Sequence, residues 1–376
     1  MKNFKIYSSF AVAISMILFF SCTTEDDFIS QNTEVPTEGS LASGIQLLEY
    51  TNAYAKGGGA TSSLLVFSDL ATFTSTVTTL ENNIEAYDDA FIAQYPNLDG
   101  DQLSDKEQTI GFDTYKPLKD FEATFKFSNS MRKDYKVAET NWLNKPDLIE
   151  ADDPDKDFYE LDEEEMTVLN NVGAVKIGNS IFKVFDGGVA EITDGDLFTL
   201  NRIAYFLCAD FANETASNIV VYGGCVYSSG GNTGGGNNPP PTNYCFSNGE
   251  NRTSWNTATR HKLKGIVKVV DRPYLWGVKI KSVTKYYKKI AGVWLRRRSD
   301  LTAALDGVAD EISENNCGDF AVTFDETIDK KDVINKSKAR YRINLNRNFQ
   351  RWLVQENKVK GVHKQMSNRR EHYLKD

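Results

Sequence analysis

Basic residues fall on alternate positions in four stretches of the second half of the chain. They are Lys262, Lys264 and Lys268; Lys279 and Lys281; Arg296 and Arg298; and Arg340 and Arg342. A β-strand points successive side chains to opposite faces, so each set projects from one face of its strand. If neighbouring strands share that face, a positive sheet surface results, suited to sulfate, carboxylate or phosphate groups. The candidates for anion binding are therefore Lys279, Lys281, Arg296, Arg298, Arg340 and Arg342. Trp276, Trp294 and Trp352 are candidate stacking platforms for sugars, although large aromatic side chains also fill β cores. The competing reading is a solvated sheet face neutralised in cis by acidic residues elsewhere in the chain.

Other chemistry finds less support. Asp153, Asp155 and Asp157, with Glu164 at the twelfth place, imitate a calcium-binding loop, but Phe158 stands where the sharp turn needs glycine. The segment reads as a solvated acidic loop leading into a helix, with Asp162–Glu165 in the first turn, where acids complement the helix dipole. Asn97–Asp101 reads as a turn. There is no Gly-x-Ser-x-Gly elbow, no His-Glu-x-x-His and no phosphate-binding Gly-x-x-x-x-Gly-Lys. His261, His363 and His372 read as surface or structural residues rather than general bases. A carboxylate pair for sugar hydrolysis has no motif by which it could be placed. No catalytic residue, metal or cofactor is assigned.

These residues must be positioned by a chain of 376 residues, long enough for two domains. The net charge of −9 hides an asymmetry: residues 1–240 carry about −22 and residues 241–376 about +13. The expected organisation is a signal peptide (1–21), a flexible tether (22–40), a mixed α/β domain (41–222), a Gly/Pro-rich linker (223–242) and a basic all-β domain (243–376). The fold class expected is α+β, with a helical and β-meander first domain and a sandwich- or barrel-like second domain.

Local patterns support that division. Apolar residues at threes and fours predict a helix over 64–95, weakened by the threonines between Thr72 and Thr79. One or two more helices are expected over 103–143, with Pro117 in a first turn or at an interruption. The period changes after Val172 to that of a β meander turning at Gly178-Asn179 and Asp186-Gly187-Gly188. Residues 196–213 read as one helix. Beyond the linker, alternation around residues 263–269, 276–282, 301–305, 320–324 and 341–345 predicts strands, with a hairpin at Ala291-Gly292. The basic stretch from Lys358 reads as frayed.

The amino terminus supplies the compartment. Lys2 and Lys5 precede an apolar run from Phe10 to Phe20, too short to span a bilayer as a helix. Ile17-Leu18-Phe19-Phe20-Ser21-Cys22 resembles a bacterial lipobox. That resemblance implies lipid attachment at Cys22, cleavage before it, and firm anchoring by several acyl chains. Thr23-Thr24-Glu25-Asp26-Asp27-Phe28 looks like the acidic export signal of Bacteroidota surface lipoproteins, implying an outer-membrane protein facing the cell exterior. In an oxidising compartment Cys208, Cys225, Cys245 and Cys317 are disulfide candidates. Of the three possible pairings, Cys208–Cys225 and Cys245–Cys317 each close a loop within one expected domain.

The stretch from Phe112 to Glu191 is similar to a group of uncharacterised Bacteroidota lipoproteins. The likeness rests on Asp152-Asp153-Pro154, on Leu169-Asn170-Asn171 and on Ile177-Gly178-Asn179-Ser180-Ile181. It implies a localisation and no activity. The function expected is that of a membrane-anchored, non-catalytic binding or cell-envelope interaction protein, with an anionic glycan or an envelope protein as partner. The alternatives are a glycan-processing enzyme or its accessory, and a purely structural envelope component. Nucleic acid is disfavoured by the compartment.

Overall fold

Two strands with apolar residues on both faces come first among the described residues. β1 (Ile45–Asn52) pairs antiparallel with β2 (Ala60–Phe67), where Leu64, Leu65 and Phe67 are fully buried. In this computed structural model the described residues are 44–373, apart from 53–59, 150–151, 160, 187, 224–249, 273–274, 314–315, 347–350, 354–358 and 367. Ala42–Asp376 forms one compact unit. The expected linker falls almost wholly on residues outside the described set, as do the signal peptide and tether.

The helix expected from residue 64 starts later. α1 (Leu70–Gln94) begins after Asp69, whose carboxylate accepts from the Thr72 N–H at 2.7 Å. Its threonines are accommodated by bonding back to the preceding turn: Thr76 to the Thr72 carbonyl and Thr79 to the Ser75 carbonyl, both at 2.8 Å. Three helices follow, where one or two were expected. α2 (Gly100–Ile110) is opened by a reciprocal Asp99–Gln102 capping box, α3 (Lys116–Thr124) carries Pro117 in its first turn, and α4 (Met131–Leu143) follows. Gly111, in the left-handed conformation at φ 68°, ends α2. The acidic run forms the short α5 (Glu163–Thr167).

β3 (Ala174–Ile177), β4 (Ser180–Phe185), β5 (Gly188–Ile192) and β6 (Ile219–Gly223) complete a six-stranded sheet in the order β1–β2–β3–β4–β5–β6, parallel only between β2 and β3. The turns fall at the two expected places. Buried Asn170 fixes the entry to β3: its side-chain oxygen accepts from the Val172 and Ala174 N–H groups, and its amide donates to the Tyr50 hydroxyl at 3.1 Å. One apolar cluster joins Leu65, Phe67, Val175 and Val184 to α1, α3 and α4. Another joins Leu64, Ile181 and Phe185 to α6 (Leu197–Ile203) and α7 (Cys208–Phe211). The single helix expected over 196–213 is thus two. The break lets Phe206 and Phe211 meet edge to face, with Phe211 packed on Phe185.

The second half is β throughout its described residues. β7 (Glu250–Ala258), β8 (His261–Arg272), β9 (Gly277–Ile290), β10 (Val293–Arg296) and β14 (Lys338–Asn346) form one antiparallel sheet in which β10 and β14 share one edge of β9. Ala291 and Gly292, both at positive φ, make the predicted two-residue hairpin turn between β9 and β10. β11 (Ser299–Ser313), β12 (Asn316–Phe324), β13 (Lys330–Lys336), β15 (Arg351–Leu353), β16 (Val359–Gln365) and β17 (Asn368–Tyr373) form the other. The expectation of a frayed end from Lys358 is corrected here. β16 pairs with β11 and β17 with β16, and Val359 and Val362 are buried.

The two sheets stack as a sandwich. Leu263, Val267, Val269, Ile280 and Tyr286 meet Leu301, Leu305, Phe324 and Val359 between them. Buried His363 sits in this layer so closely that a Cβ on Gly265 or Gly361 would overlap its ring. The Thr284 hydroxyl donates to the Thr302 carbonyl at 2.8 Å, so it accepts from His363 Nδ1 at 2.7 Å, which fixes the tautomer. The architecture is α+β, with seven helices and three sheets among the described residues.

Candidate functional site

Residues opposite one another on adjacent strands share a face. Lys264 lies opposite Lys285, which lies opposite Lys338; Lys268 lies opposite Lys281, which lies opposite Arg342. Arg340 falls between these two rows, opposite Val283. The alternate basic residues of β8, β9, β10 and β14 therefore do share one face, the outer face of the β7–β10 and β14 sheet, whereas Arg298 lies past the end of β10 and before β11. Like charges directly opposite are destabilising, so rows of lysine in register need carboxylates placed over them.

The structure places them. Lys279 Nζ is 2.6 Å from Glu165, Lys281 3.8 Å from Asp162, and Lys338 2.8 Å from Glu163. Arg340 is 2.7 Å from Asp162 and 2.6 Å from Glu164, and both Arg340 and Arg342 contact Glu81 on α1. Arg296 contacts Glu139 on α4 and donates to the Tyr115 hydroxyl at 2.8 Å. Arg298 is 2.6 Å from Glu107 and also contacts Asp88. The solvated acidic loop expected over 153–165 is thus corrected: Asp153, Asp155 and Asp162–Glu165 are all buried. The open positive surface expected of Lys279, Lys281, Arg296, Arg298, Arg340 and Arg342 is corrected with it. Lys279, Lys281 and Arg298 are buried, and all six are engaged by carboxylates of the same chain. The physical reason is desolvation: the sheet face is covered by protein, and a covered cation requires a paired anion.

The electrostatics of this layer follow from burial and pairing together. Burial pushes Glu139 up, but Arg296, Lys136 and Lys285 outweigh it and hold the carboxyl down at about 2. Asp162 likewise ends well below the usual range, burial being outweighed by Arg340, Lys281 and Lys338. For Lys281 and Lys285 burial wins, and both ammonium groups are pushed down to about 8.

Two concavities open beside this layer. The larger, about 710 Å³, lies between α1 and the β13–β14 edge and includes Arg340 and Arg342. Seven carboxylates and five cations line it, so it offers an anion no net attraction. The smaller, about 490 Å³, lies on α3 and α4 and is lined by Asp113, Tyr115, Lys119, Glu122, Ala123, Arg132, Lys133 and Lys136. Four cations face two carboxylates there. Arg132 and Glu122 are buried and form a two-pronged pair at 2.5 and 2.9 Å, with the Ser130 hydroxyl donating to the same carboxylate. Lys119 is exposed and pairs with Asp113 at 2.5 Å, Lys133 is partly exposed and lies 3.9 Å from Glu122, and Lys136 pairs with Glu139 at 2.9 Å while its Nζ lies 4.3 Å over the Tyr115 ring. This basic concavity was not found by reading the sequence, because Lys119, Lys133 and Lys136 look like the ordinary solvated face of two helices.

The remaining candidates are placed as follows. Trp294 is buried with Trp142, Leu148 and Tyr287, and its ring N–H donates to the Pro146 carbonyl at 3.2 Å. Trp276 packs on Phe73 at 5.7 Å between ring centres. Trp294 is thus an interior residue and Trp276 a half-buried one packed against the core; the Trp352 side chain lies outside the described residues. Cys208 is disulfide-bonded. Cys22, Cys225, Cys245 and the Cys317 side chain lie outside the described set, so the two expected pairings are not placed. Among the described residues no group of three or more His, Cys, Asp or Glu side chains is arranged to hold a metal ion. In the same set no helix is long and apolar enough to cross a membrane.

Fold and site together define an α+β protein whose acidic helical half covers a basic sheet. No protein-family model matches the chain, and no curated protein matches it. Among solved structures it is similar to a DUF4848 family protein from Bacteroides thetaiotaomicron. That protein is 12% identical, with 83% of this chain and 97% of that one covered at a TM-score of 0.20. A likeness of that degree assigns this chain neither a family nor an activity.

Proposed function

We propose that this chain is a lipid-anchored cell-envelope protein of the non-catalytic binding kind, which takes an anionic group in the basic concavity on α3 and α4. The observation that carries the reading is the charge count of the two openings. The cleft beside Arg340 and Arg342 is balanced towards acid, whereas the helical concavity carries two more cations than carboxylates and an aromatic ring. A sulfated or uronate sugar combines the anionic group with a ring face that such a lining suits. Support for the anchor comes from the lipobox-like segment ending at Cys22.

Two measurements test this. Lys119→Glu combined with Lys133→Glu should weaken retention of sulfated and uronate oligosaccharides about tenfold at moderate salt, taking each exposed charge contact as about 0.5–1 kcal/mol. The Arg340→Gln, Arg342→Gln pair should lower stability but leave retention unchanged. The opposite ranking would return the site to the sheet, and no retention by any form would end the proposal. For the anchor, Cys22→Ala should abolish metabolic labelling with palmitate; persistent labelling would exclude attachment at that sulfur.

A further inference from the structure

One cation in the covered layer differs from the rest. Lys264 on β8 points its amine at two carboxylates at once, contacting Asp153 and lying 2.5 Å from Asp155. All three side chains are at least nine-tenths buried. The amine lies 5.2 Å from the Trp142 ring centre, which stands edge to face with Tyr287, so aromatic rings exclude water from the group. The two carboxylates are held differently. Asp155 accepts from the Tyr135 hydroxyl at 2.8 Å and is paired at 2.8 Å with a second ammonium, that of Lys285. Asp153 turns one oxygen to the Asp155 backbone N–H at 3.0 Å and the other to Lys264.

We infer that Lys264 and Asp153 become joined by an amide bond between their side chains, with Asp155 as the proton carrier. The Lys264 ammonium passes one proton to the facing Asp153 oxygen. The freed amine attacks Cγ, and the new C–N bond leaves an oxyanion on the Asp153 oxygen that faces the Asp155 N–H, a donor placed to stabilise it. Asp155 takes a proton from the attacking nitrogen and hands it to the hydroxyl, which departs as water. The products are one amide and one water, formed from one ammonium and one carboxylate. Asp155 ends as a carboxylate still paired with Lys285, so no unpaired charge is left buried. Pairing with two carboxylates holds the Lys264 ammonium protonated, above its usual range against the effect of burial, so proton transfer within the group sets the pace of a single-turnover event.

The sequence removes one competing reaction. Asp153 is followed by Pro154, which has no N–H, so the aspartyl carboxyl cannot lose water by closing on the next backbone nitrogen. The bond would tie the acidic segment to the sheet it covers across a chain interval that contains the Gly/Pro-rich stretch.

The test is peptide mapping of the full-length protein after denaturation and digestion with trypsin. The expected product is a branched peptide holding Asp153 and Lys264, about 18 Da lighter than its two linear parts, with no cleavage after Lys264. Fragmentation should place the branch on Asp153, and Lys264→Arg should yield only linear peptides. Cleavage after Lys264 at full linear mass in the wild-type protein would overturn the proposal without recourse to any variant. A branch on Asp155 instead would overturn the assigned roles.

Discussion

Asp162→Ala is expected to destabilise the protein by about 3–5 kcal/mol, because it removes the one carboxylate shared by three covered cations and leaves the layer with an excess of buried positive charge. Asp162 lies 2.7 Å from Arg340, 3.3 Å from Lys338 and 3.8 Å from Lys281, and all four side chains are buried or nearly so. It also begins α5, where its N–H donates to Glu165 at 2.9 Å. Urea is the denaturant of choice, since guanidinium salt screens the charges under test. The control is Asp120→Ala, which breaks a Lys116–Asp120 pair that is more than half exposed and should cost about 0.5 kcal/mol or less. The sign of the pH dependence follows from the lowered pKa of Asp162. Its contribution is complete above the unfolded-chain value of about 3.9 and is lost as the pH falls towards the folded value. The gap between wild type and variant should therefore close below pH 4. A gap that persists there, or a loss no larger than the control's, would contradict the account of the covered layer.

Lys183→Met should act in the opposite direction, raising stability by about 2–4 kcal/mol at pH 6. Lys183 on β4 is fully buried. Its amine donates to the Val184 carbonyl at 2.6 Å and lies 5.4 Å from the Tyr159 ring centre. Burial pushes its ammonium down to about 7, Asp186 opposing and Arg272 reinforcing the shift. At or below that pH the folded protein carries a charge in a low-dielectric site, and the penalty is full. As the pH rises from about 7 towards the unfolded value of about 10.4, the penalty disappears. Wild-type stability should climb across that window while the methionine variant stays flatter. Equal stabilities at pH 6 would show that the buried amine is better satisfied than this account holds.

Much of the sheet architecture was legible because period two is a local property. The alternation of Lys279 with Lys281, or of Arg340 with Arg342, states which residues share a face. What covers that face was not legible, since Glu164 and Arg340 are far apart in the chain and no spacing rule connects them. The only trace was the opposite charge of the two halves, which is equally consistent with a solvated surface. The end of the strand Ala60–Phe67 reads as helix because Leu64–Phe67, packed on both faces, has no period to distinguish the two. β16 was missed for the converse reason. Its burial depends on Gly361 and on His363 filling the sandwich, and neither registers as an apolar alternation. Lys183 alternates like any strand residue, and nothing in the sequence marks it as enclosed.

The lysine rows in register have a practical consequence for dissecting this molecule. A fragment starting at Glu250 would lack every carboxylate of α1, α4 and the 153–165 segment, and would display Lys264, Lys285 and Lys338 side by side to solvent. Such a piece is a polyelectrolyte. It would adsorb heparin, nucleic acid and anionic resins through counterion release, and that stickiness would measure the missing half of the protein rather than any ligand the intact one recognises.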